Sequence, residues 1–367
     1  MELLKKIHAK VKHDGYLTFD KYMDMCLYYP NLGYYNNKNI SLDPTKSDFV
    51  TGPEISSIYT DSLKDFYSSC KNNMDIDFVI EFGAGSGELA FNFLKDLDNK
   101  DLPKKYFIVE KSDHLKKQQK EKIKKLPGNL SEKVEWINKI NNLKNVFLIA
   151  NEVLDAIPSK IFIKEKNNFY EKIIKIKNND LYYSKMKCEP LLKQEIINIE
   201  KRLRYKFPDN YNLEINFQYE DFFTEVFKNI DNFIFLLIDY GYGEKEYYHP
   251  ERSSGTIQFY RDHKKISESL DHQGTFDISV SVDFSRIYRI INFYKKQLMS
   301  YTTQEQFLLN TNILENSLKI SDIYTRNNVL KSLLFPTDMG ENFKIMIMCD
   351  DMNNNLIMKF KDYRHKL

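Results

Sequence analysis

The sequence predicts an α/β protein built on a doubly wound, mostly parallel sheet, and three observations carry that prediction. From about residue 75 to 160, apolar runs of strand length alternate with segments of helical periodicity. Three glycines, Gly83, Gly85 and Gly87, join the first such strand to its helix, in a chain with only 12 glycines among 367 residues. A later run, "FIFLLIDYG" at 233–241, restores the parallel-strand signature after an interruption.

The elements follow in order. Residues 1–70 read as an N-terminal helical and lid region around a Gly/Tyr/Pro loop, "YYPNLGYYNN". Residues 71–160 form the first part of the core. Its strands are "DFVIEF", "YFIVE", "VEWIN" and "NVFLIANE", with a Lys/Gln-rich helix after the second. Residues 161–210 carry an inserted antiparallel β meander, "IFIKE", "FYEKIIKIK" and "LYYSKMK", and then a charged helix from Leu191 to about Arg204. Residues 211–367 complete the core sheet. Loops rich in Gly, Ser and His follow Tyr242, and "NFKIMIMCDD" with "NLIMKFKD" reads as a C-terminal hairpin.

The glycine cluster bears on chemistry. In "DFVIEFGAGSGELAFNFLKDL", Asp77 to Phe82 reads as a buried strand, and Leu89, Phe93, Leu94 and Leu97 recur at helical spacing. Glycines at that junction permit positive φ and let a ligand approach the backbone where the free N–H groups of a helix start point. A tight turn with no ligand is the competing reading. The pattern fails the dinucleotide fingerprint, because Glu88 stands where the third small residue belongs. It fails the Walker loop and the nucleophile elbow as well. What remains is E-x-G-x-G-x-G with Glu81 at the strand end. A carboxylate there repels a pyrophosphate and attracts a sulfonium or an ammonium. The pattern resembles the S-adenosylmethionine motif of class I methyltransferases. The next strand ends in Glu110, placed to hold ribose hydroxyls; a solvated strand-end carboxylate is the alternative.

Composition narrows the classes. Net charge is +2, from 54 basic and 52 acidic residues, which does not suggest a dedicated nucleic-acid binder. Four scattered cysteines form no C-x-x-C pair, so no zinc or other metal site and no disulfide framework is signalled. No apolar run is long enough to insert in a membrane. The N-terminal stretch lacks a secretory h-region and the arginines of a mitochondrial presequence, and on these grounds a cytoplasmic protein is expected. A homodimer is left open.

A second group gathers beyond the carboxyl ends of later strands, where open parallel sheets bind ligands. "FLIANEVLDAIP" offers Asn151, Glu152 and Asp155, and "LLIDYGYG" offers Asp239 and Tyr240. Asp155 has a competing reading as a helix cap for the segment after Ala156. With these blocks the chain resembles the MidA-like family of S-adenosylmethionine-dependent methyltransferases, which includes a mitochondrial complex I assembly factor regarded as a protein arginine methyltransferase. The matching blocks include "FDKYMDMCLYYPNLGYY", "DFVTGPEIS", "IEFGAGSGELA", "VEKSDHLKKQQ", "ANEVLDAIP", "SGTIQFYRDH", "GTFDISVSVDFS" and "MGENFKIM". Two departures stand out. Ser279 and Ser281 replace a Thr and a His of the family pattern, and Ser57, Ile58 and Tyr59 replace a Phe-Gly pair.

The resemblance implies a class I methyltransferase fold and S-adenosyl-L-methionine as cofactor. Glu81, Gly83, Gly85, Gly87 and Glu110 would bind it, with Thr51, Pro53 and Glu54 in a covering loop. Gly33, Tyr34 and Tyr35 would complete a lid. The implied activity is methyl transfer to a protein arginine, with Glu152 and Asp155 gripping the guanidinium and Asn151 shaping the transfer pocket. With the usual His replaced, no catalytic histidine is assigned, and His263 has a structural alternative. A small-molecule methyltransferase and a cofactor-binding assembly factor with weak or no catalysis remain alternatives.

Overall fold

The computed structural model describes residues 2–38, 50–261, 264–350 and 360–367. His263 and most of the second arm of the expected C-terminal hairpin lie outside the described residues.

Seven strands form the main path of the eight-stranded central sheet: β1 (Phe78–Phe82), β2 (Lys105–Val109), β3 (Val134–Ile137), β4 (Leu143–Asn151), β5 (Ile230–Tyr242), β6 (Gln297–Thr303) and β7 (Phe343–Cys349); the eighth, Val282–Asp283, pairs in parallel with the end of β5. The order of the seven is β6-β7-β5-β4-β1-β2-β3. Strands β1 to β5 pair in parallel, and β7 runs antiparallel to both β5 and β6. Chain direction across the sheet reverses between β1 and β4, where adjacent exit loops diverge and leave a crevice.

Alternation along the strands explains why this sheet is covered on both sides. Phe147 and Ile149 of β4, with Ile234, Leu236 and Ile238 of β5, pack into one core with Tyr67 and Phe93. Val146, Leu148 and Ala150, with Phe233, Phe235 and Leu237, pack into the other with Tyr219, Phe223 and Phe284. The period of two sends neighbours to opposite faces, and both faces are apolar, as a buried parallel sheet requires.

The inserted meander forms as expected, with strands Lys160–Glu165, Asn168–Lys177 and Asp180–Lys187 followed by the helix Pro190–Leu203. Two further strands join it. Asn212–Ile215 pairs with the first, and Leu17–Thr18, inside the N-terminal region read as purely helical, pairs with Ile173 and Ile174. A two-residue strand is too short to show a period.

Two expectations are corrected. The segment after Tyr242, read as loops, holds a three-stranded antiparallel sheet of Gln258–Arg261, Lys264–Ile266 and Asp277–Ser279. The run "NFKIMIMC" is not the arm of a terminal hairpin. Both edges of that strand are taken, by β5 from Phe343 to Cys349 and by β6 from Lys344 to Cys349.

Candidate active site

Gly83, Gly85 and Gly87 have φ of 58°, 52° and 79°. This left-handed run turns the chain out of β1 and into the helix Glu88–Lys95. Gly83, Ala84, Gly85 and Ser86 line a cavity at the switch point, together with Thr51, Pro53, Glu54, Glu81, Glu110, Asn151 and Glu152. Gly87 departs from its expected place. It lies outside the lining and caps the helix beside Gln119, whose Cα a Cβ on Gly87 would approach to 3.4 Å.

The cavity is acidic. Glu54, Glu81, Glu88, Glu110 and Glu152 line it, with no lysine or arginine among the described lining residues. Such a wall suits a ligand that is cationic and free of phosphate. Glu81 is 3% exposed, and its Oε2 accepts a 2.7 Å hydrogen bond from the Tyr106 hydroxyl. Burial pushes its carboxyl up to about 8, and the Glu110 charge adds to that rise. Glu110 is also raised by burial. Its Oε1 accepts from the Ser112 N–H at 2.8 Å and its Oε2 from Gln119 Nε2 at 2.9 Å.

The covering loop is a built structure. Thr51 and Glu54 form a reciprocal capping box at the start of the helix Gly52–Ile55, and the Gly52 N–H donates to Glu152 Oε1 at 3.3 Å. The same oxygen accepts from Asn151 Nδ2 at 3.1 Å, while Asn151 Oδ1 accepts from the Tyr59 hydroxyl at 2.6 Å. Tyr59 stands where the family pattern departs, so the departure meets the site. Burial, with the Asp155 charge next, pushes Glu152 up to about 8.

Glu152 and Tyr35 also line a second cavity, of about 560 Å³, which therefore adjoins the first. Asp155, Asp277, Tyr240 and Tyr260 face it, as do Ser279 and Ser281. No helix follows Ala156, so the capping reading of Asp155 falls. Asp155 Oδ1 is buried without a hydrogen bond of good geometry, although the Ala156 N–H and the Tyr240 hydroxyl face the carboxyl group and favour its charged form. Asp239 sits behind the loop instead of in the cavity lining. Its Oδ2 accepts from the N–H groups of Val153, Leu154 and Asp155 at 3.2, 2.9 and 3.3 Å, and its Oδ1 from that of Tyr240 at 2.9 Å. Burial raises both acids, Asp239 and then Asp277 adding to the rise of Asp155. Four backbone donors favour the charged form of Asp239.

Sequence reasoning missed Gln119 and Asp277. Gln119 carried a signal, because Leu115, Gln119 and Ile123 recur every four residues and all three are buried. Asp277 lies on a strand that was read as loop.

The 3-2-1-4-5-7-6 sheet with its last strand reversed, the glycine turn and the acidic switch-point crevice define a class I S-adenosylmethionine-dependent methyltransferase. Residues 66–301 match the family described as "Putative S-adenosyl-L-methionine-dependent methyltransferase". The chain belongs to that family, the MidA-like methyltransferases, and its cofactor is S-adenosylmethionine. A solved structure from Burkholderia thailandensis, bound to S-adenosyl-homocysteine, superposes with a TM-score of 0.91 at 26% identity, covering 100% of this chain and 96% of that one. Among curated relatives, the Caenorhabditis elegans "Protein arginine methyltransferase NDUFAF7 homolog, mitochondrial" is 24% identical over 93% of this chain and 85% of its own length. The Xenopus laevis "Protein arginine methyltransferase NDUFAF7, mitochondrial" is 26% identical over 93% and 83%. These names overturn the expectation of a cytoplasmic protein. It rested on targeting features missing from the N-terminal stretch, and a missing feature carries no address. Among the described residues, no helix is long and apolar enough to cross a membrane.

Proposed function

We propose that the protein methylates an arginine side chain of a protein acceptor held in the second cavity. The observation that carries this reading is Asp155 Oδ1, a buried carboxylate oxygen without a hydrogen bond of good geometry in a cavity that adjoins the cofactor cavity at Glu152 and Tyr35. A buried carboxylate oxygen without a well-placed donor is costly unless a ligand supplies one. A guanidinium supplies five N–H donors in a planar fork and is protonated at neutral pH. The names of the curated relatives support the same acceptor.

When bound, the cofactor supplies an activated methyl group on a positively charged sulfur. Glu81 balances that charge, Glu110 takes the ribose hydroxyls, and the backbone of Gly83 and Gly85 admits the ligand against the loop. Glu152 Oε1 is engaged by Gly52 and Asn151, which leaves Oε2 for the acceptor. Asp155 and Glu152 would hold the guanidinium with one nitrogen turned toward the cofactor cavity. That nitrogen accepts the methyl group and gives up one N–H proton. In the empty site burial raises Glu152 to about 8; a bound guanidinium favours its ionised form, and the ionised carboxylate takes the acceptor's proton.

The test is to incubate the purified protein with methyl-labelled cofactor and a cell lysate. Label recovered on arginine after acid hydrolysis of the protein fraction is expected. Label confined to small molecules, or no transfer despite cofactor binding, contradicts the reading.

A further inference from the structure

We propose that Gln119 is a positioning residue of the cofactor site, which holds the Glu110 carboxylate in the orientation that selects a ribose. The inference rests on the reading that Glu110 takes the ribose hydroxyls. Gln119 is fully buried and makes three hydrogen bonds. Trp136 Nε1 donates to its Oε1 at 2.8 Å. Its Nε2 donates to Glu110 Oε2 at 2.9 Å and to the Gly85 carbonyl at 2.9 Å. The indole has only a donor to offer, so it settles which end of the amide is oxygen and presents the NH₂ end to Glu110 and the loop. One side chain thereby ties three features to one another: β3 through Trp136, the carboxylate at the end of β2, and the glycine loop after β1.

The tie leaves Glu110 with a defined job. Its Oε1 accepts from the Ser112 N–H and its Oε2 from Gln119, and the Lys111 N–H also favours the charged carboxylate. An ionised carboxylate has about four acceptor sites, so acceptor capacity remains for a ribose hydroxyl. Without Gln119, one oxygen loses its anchor and the plane of the carboxylate is free to rotate. Gly87, without a Cβ, leaves room for the stem of Gln119, whose Cα and Cγ an added Cβ would meet at 3.4 Å.

Calorimetry on the full chain tests this with two ligands, S-adenosylhomocysteine and its 2′-deoxyribose analogue. The wild type should prefer the ribose form by at least about tenfold, as expected for one hydrogen bond to a charged acceptor. Gln119→Met, close in volume, should cut that preference at least about fivefold while leaving the affinity for the deoxy ligand within about twofold. Trp136→Phe, which removes the donor that sets the amide, should lower the preference in the same direction and serves where Gln119→Met does not fold. A purely structural Gln119 would weaken both ligands in parallel, and an unchanged preference or a parallel loss overturns the proposal. Glu110→Gln separates the two claims. If it abolishes the preference and the Gln119 variant does not, only the positioning role falls; if it keeps the wild-type preference, the ribose reading of Glu110 falls, and the positioning role with it.

Discussion

The Tyr35 hydroxyl donates a 3.0 Å hydrogen bond to Asp277 Oδ1. The bond joins a residue that walls both cavities to a carboxylate that lines only the second. Tyr35 stacks on Tyr28 at 5.5 Å, and its carbonyl accepts from the Ser112 hydroxyl at 2.6 Å, beside Glu110. The N-terminal region is therefore anchored to the cofactor side and also meets the acceptor side, where the Tyr35 hydroxyl is one of its contacts.

Tyr35→Phe removes that hydroxyl and keeps the ring stack. Affinity for S-adenosylhomocysteine should stay within about twofold. Binding of N-acetyl-arginine amide to the cofactor-product complex should weaken about three- to tenfold, the loss expected for one hydrogen bond of about 1 kcal/mol. Equal losses for both ligands would mean that Tyr35 only packs.

Cofactor affinity should depend on pH. Burial raises Glu81 to about 8, so at pH 6 the free protein holds a proton there. A bound sulfonium and ammonium favour the ionised carboxylate and lower its pKa in the complex. Affinity is then complete above about pH 8 and falls as pH drops toward the bound-state value, by at most about tenfold per pH unit for one group. Titration calorimetry from pH 6 to 8.5 checks this, with proton release on binding at pH 7. A flat profile would remove Glu81 as the group that meets the positive charge; Glu81→Gln should flatten it in part, because Glu152 is raised as well.

Gly85→Val should abolish measurable binding of S-adenosylhomocysteine. The residue needs φ of 52° and lines the cavity, so a β-branched side chain is both strained and in the way. Circular dichroism should show the fold retained, because the change falls on a cavity wall and not in either apolar core. A folded variant with wild-type affinity would contradict the placement of the cofactor.

Asp239→Asn should destabilise the protein by about 2–3 kcal/mol, the scale of hydrogen bonds to a charged acceptor. Three consecutive N–H groups converge on one of its oxygens, and an amide offers them a single neutral acceptor. Chemical denaturation reads the loss. Unchanged stability would mean that the exit loop of β4 is held by other contacts.

The central sheet was legible because its strands are buried on both faces and bounded by turn residues. "FVIEF", "NVFLIANE" and "FIFLLIDYG" leave little alternative to parallel strands. That Glu81, Gly83, Gly85 and Glu110 would meet was legible in part: they line one cavity because each stands at or just after the carboxyl end of one of two adjacent parallel strands. The strand holding Asp277 was not, because three residues set no period, and its pairing with Gln258–Arg261 is decided by tertiary contact. Gln119 was hidden for another reason: it sits in a Lys- and Gln-rich helix where a solvated face is the usual reading. Gly87 shows the converse, a motif residue in the right place whose work is helix packing. Asp155 was found from its position on the rim, yet its poorly satisfied oxygen belongs to the folded cavity alone.

We infer that the acidic second cavity holds an arginine for methylation. The most direct measurement is quantitative mass spectrometry of protein arginine methylation in cells lacking the gene, complemented with wild type or with Asp155→Asn. Asp155→Asn keeps the shape of the side chain and removes its charge, and transfer should slow at least about a hundredfold, roughly 2.7 kcal/mol of lost transition-state stabilisation. The account predicts arginine methyl marks that vanish without the gene, return with wild type and stay absent with Asp155→Asn, although that variant folds and binds S-adenosylhomocysteine. Arginine methylation unchanged by deletion, or fully restored by Asp155→Asn, would contradict it.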